Sequence, residues 1–246
     1  MKKIAVLNQK GGVGKTVTVL NLSHGLAMQG FTTLMIDGDP QSTLSGILLQ
    51  EDTDETIYPV LKGDIPAREC IQEVRENLFL LPSDPRLARF DGVTGILKDK
   101  LKDVKTFDYI ILDGMPSLGY LTAEYLRYVD HALIPVKTDY LSLRGLLKVL
   151  DLIFIIQEER GVNLSILGYL PCQYDARRVL DRDVLEILKK RFKKDVFKPI
   201  RQNVSIAVSP SWGETIFEYQ KNSYGAADYK RLVKEVIKRT GGGKHG

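Results

Sequence analysis

The strongest constraint on this chain is the run Gln9-Lys10-Gly11-Gly12-Val13-Gly14-Lys15-Thr16. It separates a short apolar stretch at residues 4–7 from an amphipathic one that continues through Asn21, Leu22 and Leu26. A glycine-rich loop that leaves a strand and opens a helix turns its backbone N–H groups toward an anion, and the helix terminus adds partial positive charge. Lys15 is placed to neutralise the outer phosphates of a nucleoside triphosphate, and the Thr16 hydroxyl to ligate Mg2+. Gly11, Gly12, Val13, Gly14, Lys15, Thr16 and Val17 are therefore the candidate nucleotide-binding set, with ATP and Mg2+ as the expected ligands.

Further apolar runs, at residues 33–36, 78–81, 109–112, 132–136 and 166–170, are separated mostly by longer helical patterns. They are rich in Ile, Leu and Val and lack a polar alternation, which fits strands covered on both faces. The predicted architecture is α/β, a doubly wound and mainly parallel sheet with helices on both faces. With 246 residues, 43% of them hydrophobic, the chain can bury one large core. Residues 1–240 are read as a single domain and residues 241–246, Gly-Gly-Gly-Lys-His-Gly, as a flexible tail.

Residues 146–156, interrupted by Lys148 and Asp151, fall short of the roughly 20 residues a bilayer span needs and read as a buried helix. A final helix is expected over residues 226–239, with Tyr229, Leu232, Val233, Val236 and Ile237 on its docking face. Nothing at the N-terminus suggests a secretory signal. Cys70 and Cys172 are too few for a disulfide framework and read as reduced packing residues. The expected location is cytoplasmic.

Three acids follow strand candidates. Asp37-Gly38-Asp39-Pro40-Gln41 lies just past residues 33–36, where an open α/β sheet presents its ligand-binding edge. Asp113 ends the run 109–112, where a carboxylate either holds Mg2+, often through water, or serves as a simple cap.

The phosphate loop departs from the usual pattern. The position six residues before Lys15 holds Gln9 rather than glycine, and a second lysine, Lys10, precedes the double glycine. This arrangement resembles the deviant Walker A motif of the ParA/MinD family, and the run Asp37 to Gln41 resembles the switch segment of its ParA-type partition ATPases. The resemblance implies a deviant Walker A P-loop NTPase that hydrolyses ATP to ADP and phosphate with slow intrinsic turnover. It also implies an ATP-sandwich homodimer in which Lys10 reaches the nucleotide of the facing subunit. An added cation there would stabilise charge spread over the transferred phosphoryl group. Lys10, Lys15 and Asp39 are thus the catalytic candidates, Asp39 by positioning the attacking water, and Thr16, Asp37 and Asp113 the magnesium-side ones. After Asp113 the family usually carries Thr-Pro-Pro-Ser, whereas this chain has Gly114-Met115-Pro116-Ser117.

Downstream, the run from Ile134 to Gly145 looks like a family segment that passes from a strand into a long helix, with an expected part in scaffold and dimer contact. Asn203-Val204, Pro210-Ser211, Gly213 and Glu218-Tyr219 match a second segment, so the resemblance covers nearly the whole chain and adds Asn203 to the nucleotide-binding set. The chain departs where the family's Pro-Arg is Arg201-Gln202, its following Arg is Ser205 and a Glu is Val208. Overall it is closest to short, Soj-like ParA proteins.

That class implies non-specific double-stranded DNA, a ParB-like centromere-binding protein and the nucleoid as partners. Charge agrees, since residues 171–246 carry 17 Lys/Arg against 9 Asp/Glu while residues 1–170 carry 18 against 22. Candidate phosphate contacts are Arg177, Arg178, Arg182, the run Lys189-Lys190-Arg191-Phe192-Lys193-Lys194, Arg201, Lys221 and Lys230, although such a run is also an ordinary solvated helix end. The alternative is a MinD-like ATPase acting at a membrane surface or positioning another cargo. That role calls for bulky apolar residues close to the C-terminal end, and stable membrane association is not expected here. A reductase resembling the nitrogenase iron protein would need cluster cysteines that neither Cys70 nor Cys172 supplies.

Overall fold

Seven strands form one sheet in the computed structural model, which describes residues 1–49, 51 and 53–242. In chain order they are β1 (Lys2–Val6), β2 (Thr33–Asp37), β3 (Gln72–Arg75), β4 (Leu78–Leu81), β5 (Tyr109–Asp113), β6 (His131–Lys137) and β7 (Ser165–Cys172). Their spatial order is β3-β4-β2-β5-β1-β6-β7, and every pairing is parallel except β3 with β4. The six apolar runs are all strands, as expected from their burial on both faces. The additional one, β3, is polar and sits at the sheet edge, joined to β4 through Asn77 at φ 58°. Charged residues and the register shift between Glu73 and Arg75 discourage further strand pairing at that edge.

The helices are α1 (Lys15–Ala27), α2 (Thr43–Leu48), α3 (Ile57–Lys62), α4 (Ala67–Cys70), α5 (Ile96–Lys100), α6 (Tyr120–Tyr128), α7 (Tyr140–Gln157), α8 (Val179–Phe192), α9 (Val204–Val208), α10 (Ile216–Tyr219) and α11 (Tyr224–Thr240). Alternate strand residues feed two cores. Ala5, Leu34, Ile36, Ile110 and Leu112 meet the buried sides of α3 and α5–α8. Ile4, Val6, Met35 and Ile111 meet α1, α10 and α11 on the other face. Both Cys70 and Cys172 are buried free thiols within these layers.

Two helices refine the sequence reading. Residues 146–156 lie within α7, yet only one side is covered. Leu146, Val149, Leu150, Ile153 and Ile156 are buried, while Tyr140, Leu141, Leu147, Phe154 and Ile155 are exposed. The expected buried helix is therefore half-buried, with a second apolar stripe in solvent. The last helix begins earlier than expected because Ser223 caps it, accepting from the Ala226 N–H at 3.1 Å. Gly241 adopts φ 65° and the Gly242 N–H donates to the Ile237 carbonyl at 3.0 Å, closing α11 as a glycine cap does. Residues 243–246 of the predicted tail lie outside the described residues. Among the described residues no helix is long and apolar enough to cross a membrane.

The strand order matters for the site. β1 lies between β5 and β6, and β2 pairs with the other side of β5. The loop after β1, the end of β2 and the end of β5 therefore emerge side by side at the carboxyl edge, where Asp37 and Asp113 are direct register partners.

Candidate nucleotide site

The loop between β1 and α1 takes its shape from Gly12 at φ 70° and Gly14 at φ 98°, values that residues with a Cβ adopt only under strain. Gly14 stands at the N-cap of α1, and its carbonyl accepts from the Thr18 N–H at 3.0 Å. Gly11 and Gly12 are exposed at the loop surface, whereas Val13 is fully buried and anchors the turn. Thr16 and Val17 are half-buried in the first turn. The loop borders a cavity of about 620 Å³ that is also lined by Lys15, Asp39, Cys172 and Asn203.

Lys15 is only 7% exposed. Burial lowers the pKa of its ammonium, and Asp113 followed by Asp39 opposes that effect. A cation partly stripped of water and flanked by two acids is poised to exchange protein carboxylates for phosphate oxygens.

The three acids differ in their surroundings. Asp37 is wholly buried, and its oxygens are engaged by the Ser45 N–H at 2.8 Å, the Ser45 hydroxyl at 2.7 Å and the Asp39 N–H at 3.2 Å. Burial, only partly offset by these donors, pushes its carboxyl up to about 6. Asp37, read from sequence as a magnesium-side residue, directs its oxygens at the segment that carries Asp39 and at Ser45. Asp113 is also fully buried, but neither oxygen has a hydrogen-bond partner. Burial, then the neighbouring Asp37, raises it well above the usual carboxylate range, while the nearby Thr16 hydroxyl and Lys15 pull the other way. A buried carboxylate left without a donor is costly unless a cation is to meet it. Asp39 lies at the cavity wall, with one oxygen accepting from the Gln41 N–H at 3.0 Å.

Gly38 ties these loops together. Its N–H donates to the Asp113 carbonyl at 3.0 Å, and its own carbonyl accepts from the Tyr125 hydroxyl at 2.7 Å. A Cβ here would come within 2.8 Å of both the Asp113 carbonyl oxygen and the Tyr125 ring.

Lys10 points away from the cavity floor. Its ammonium donates to both oxygens of Asp139, at 2.8 and 2.7 Å, and to the Ser142 hydroxyl at 3.1 Å. Asp139 caps α7 by accepting from the Ser142 N–H at 2.8 Å. Burial alone would raise the Asp139 carboxyl, but the Lys10 and Ser142 donors hold it below its ordinary value.

Asn203, also on the cavity lining, caps α9 by accepting from the Ser205 N–H at 2.8 Å, so its amide N–H2 is the part left for a ligand. Several participants were not legible in the sequence. Gln173, at φ 56°, donates from Nε2 to the Gly12 carbonyl at 2.8 Å and braces the phosphate loop from β7's end. Cys172 packs 3.7 Å from the Cβ position of Gly14, with its thiol pushed up to about 12 by burial, which makes it packing rather than chemistry. Ser45 and Tyr125 sit within helical patterns and carried no motif, and a polar side chain on an otherwise ordinary helix was the only available cue.

A phosphate loop on a doubly wound parallel sheet, with a buried lysine and two strand-end acids at one carboxyl edge, defines a P-loop nucleotide hydrolase. Residues 1–166 match a family described as an AAA domain. The chain is 39% identical to the sporulation initiation inhibitor protein Soj of Bacillus subtilis, over 96% of this chain and 98% of that one. It is 35% identical to the chromosome partitioning protein ParA of Myxococcus xanthus, over 96% of this chain and 88% of that one. Among solved structures it resembles a cobyrinic acid a,c-diamide synthase from Mycobacterium smegmatis with bound ADP and magnesium, at 30% identity and a TM-score of 0.83, covering 99% of this chain and 97% of the other. The chain belongs to the ParA/Soj family of partition ATPases.

Proposed function

We propose that this chain is a DNA-partition ATPase that closes as an ATP-bound homodimer, binds double-stranded DNA without sequence preference, and is stimulated by a ParB-like centromere-binding protein. The observation that carries the ATPase reading is that Lys15 and Asp39 line the cavity beside the glycine loop while the buried Asp113 lies close to Lys15. Full-length similarity to Soj and ParA supports the partition role.

The residues present fit a magnesium nucleotide. The loop N–H groups and Lys15 would hold the phosphates, while Thr16 and the buried carboxylate of Asp113 would hold the metal side, directly or through water. Mg2+ when bound neutralises charge on the phosphoryl oxygens. Among the described residues no three His, Cys, Asp or Glu side chains form a metal cage. None is required where phosphates complete the coordination. Asp37 would fix the Asp39 segment, and Asp39 would orient the attacking water. Lys10 would leave Asp139 to reach the nucleotide of a facing copy. Intrinsic turnover would be slow, as in switch NTPases that wait for a partner.

The DNA reading gains a surface. Lys194, Lys198, Lys234 and Lys238 are exposed around a groove of about 590 Å³ between α11 and the segment after α8. Several of the sequence candidates are engaged within the chain: Arg177 with Asp175 at 2.8 Å, Arg178 with the same carboxylate at 3.9 Å, Arg182 with the Ala176 carbonyl at 2.8 Å and Arg201 with Asp228 at 2.8 Å. A membrane-surface role is less well supported, because the apolar face of α11 is buried against the sheet through Tyr229, Leu232, Val233 and Val236. A nucleoid-associated, cytoplasmic location follows from the DNA reading.

The test is binding to random-sequence duplex DNA across a salt series, with ATP, with ADP and without nucleotide. Binding that needs ATP and collapses with salt is expected. Absence of DNA binding together with ATP-dependent binding to anionic liposomes would overturn the partition reading.

A further inference from the structure

One wall of the cavity is built from residues 200–204, 206 and 207, a segment tied to the rest of the fold on two sides. On one side this segment runs beside the end of β7, where the Ile200 N–H donates to the Pro171 carbonyl at 2.8 Å and the Gln202 N–H to the Tyr174 carbonyl at 2.9 Å. On the other side it lies against the first turns of α11. There Asp228, with no exposed surface, accepts three hydrogen bonds from Arg201: from the backbone N–H at 3.0 Å, from Nε at 2.9 Å and from Nη2 at 2.8 Å. Arg231 approaches the same carboxylate at 3.0 Å. The Arg201 guanidinium also lies 4.7 Å from the centre of the Tyr224 ring.

A bidentate arginine–carboxylate pair fixes orientation as well as distance, and the buried acid is satisfied only while its donors stay in place. Burial would raise the Asp228 carboxyl, yet the Arg201 and Arg231 donors hold it below its ordinary value. The contact extends one turn further, since a Cβ on Gly225 would come within 2.7 Å of Ile206 and 3.4 Å of the Asn203 amide nitrogen. Ile200, Asn203 and Ile206 all face the cavity.

We infer that Arg201 and Asp228 form a positioning clamp for the nucleoside end of the site, acting through Ile200, Asn203 and Ile206, while the phosphate end is organised separately by the glycine loop and Lys15. The inference rests on reading this cavity as a nucleotide site. Loosening the clamp weakens recognition of the base and ribose and leaves phosphate binding intact.

The experiment compares ATP with inorganic triphosphate, each with Mg2+, by calorimetry on the unsubstituted chain, Arg201→Ala and Asp228→Asn. Arg201→Ala keeps the Arg201 backbone N–H and Arg231 on Asp228, so the buried charge stays compensated. In both variants the ATP dissociation constant is expected to rise about tenfold, with that for triphosphate changed by less than about twofold. Arg201→Lys, which cannot bond in bidentate fashion, should fall between. An unchanged preference for ATP over triphosphate, or equal weakening of both ligands with a lower melting temperature, would overturn the clamp. Failure of the unsubstituted chain to bind ATP would instead remove the nucleotide reading, and the clamp with it.

Discussion

The ammonium of Lys10 lies 2.8 and 2.7 Å from the two carboxylate oxygens of Asp139, a residue 129 positions away at the start of α7. The pair joins the phosphate loop to the helix whose outer stripe is apolar, and it holds within one chain the lysine that the family resemblance assigns to a facing copy. Both side chains are partly exposed, at 30% and 25%, so the pair is worth at most about 1 kcal/mol. Asp139→Asn keeps a cap oxygen for the Ser142 N–H while removing the charge. It should shift ATP-dependent dimerisation to roughly fivefold lower ATP, the factor that ~1 kcal/mol supplies. An unchanged midpoint by light scattering would show that Asp139 does not compete for Lys10. Lys10→Ala should bind ATP as a monomer but dimerise and turn over poorly.

Lys15 is buried beside two acids, and in the proposed complex it is the main cation on the triphosphate. Lys15→Ala is expected to weaken ATP binding at least about a hundredfold by calorimetry, the scale set by leaving a buried charge unpaired. Near-normal affinity would remove Lys15 from the site.

The Asp39 carboxylate borders the cavity and accepts from the nearby Gln41 N–H rather than from the glycine loop, so its removal should spare binding. Asp39→Ala is expected to lower turnover by about a hundredfold or more, the usual range for a lost general base, and to accumulate the ATP-bound dimer. Undiminished phosphate release would end its catalytic assignment.

Asp37 gives a pH signature. Its folded-state carboxyl is pushed up to about 6, mainly by burial, from an ordinary value of 3.8. The folded chain therefore binds the extra proton between those limits. The associated stability is complete below about pH 4 and is lost as the pH rises through about 6. In chelator and without nucleotide, Asp37→Asn lacks this titration. The stability of the natural chain relative to the variant should fall between pH 4 and 6, by on the order of 2–3 kcal/mol. A difference in melting temperature that stays flat with pH would contradict the burial argument.

The basic groove predicts which charges matter for DNA. Lys234→Ala and Lys238→Ala should each weaken binding to random duplexes and reduce the salt slope by about 1. Arg177→Ala, whose guanidinium is turned to Asp175, should change the slope little. Equal effects from all three would disperse the surface over the whole C-terminal half.

Much of this architecture could be read from the sequence because burial on two faces leaves a plain trace. Ile110, Ile111 and Leu112 are apolar in succession because each lies in one of two cores. β3 leaves no such trace because an edge strand paired on one side can be Gln-Glu-Val-Arg, which looks like a loop. The glycine loop, Lys15 and Asp113 were legible because phosphate chemistry restricts local spacing. Gln173, Asp139 and Asp228 were not, since each acts on a partner that is distant in sequence, and a single polar residue carries no mark of what it will meet. The exposed stripe on α7 is hidden for a related reason: an apolar helix reads the same whether one side is covered or both.

Gly38 sets how the site can change shape. With its N–H on the Asp113 carbonyl, its carbonyl on the Tyr125 hydroxyl and no room for even a methyl group, the segment bearing Asp39 cannot slip past the end of β5 or the flank of α6. A shift of the Asp39 segment would therefore break or stretch bonds to both the end of β5 and α6.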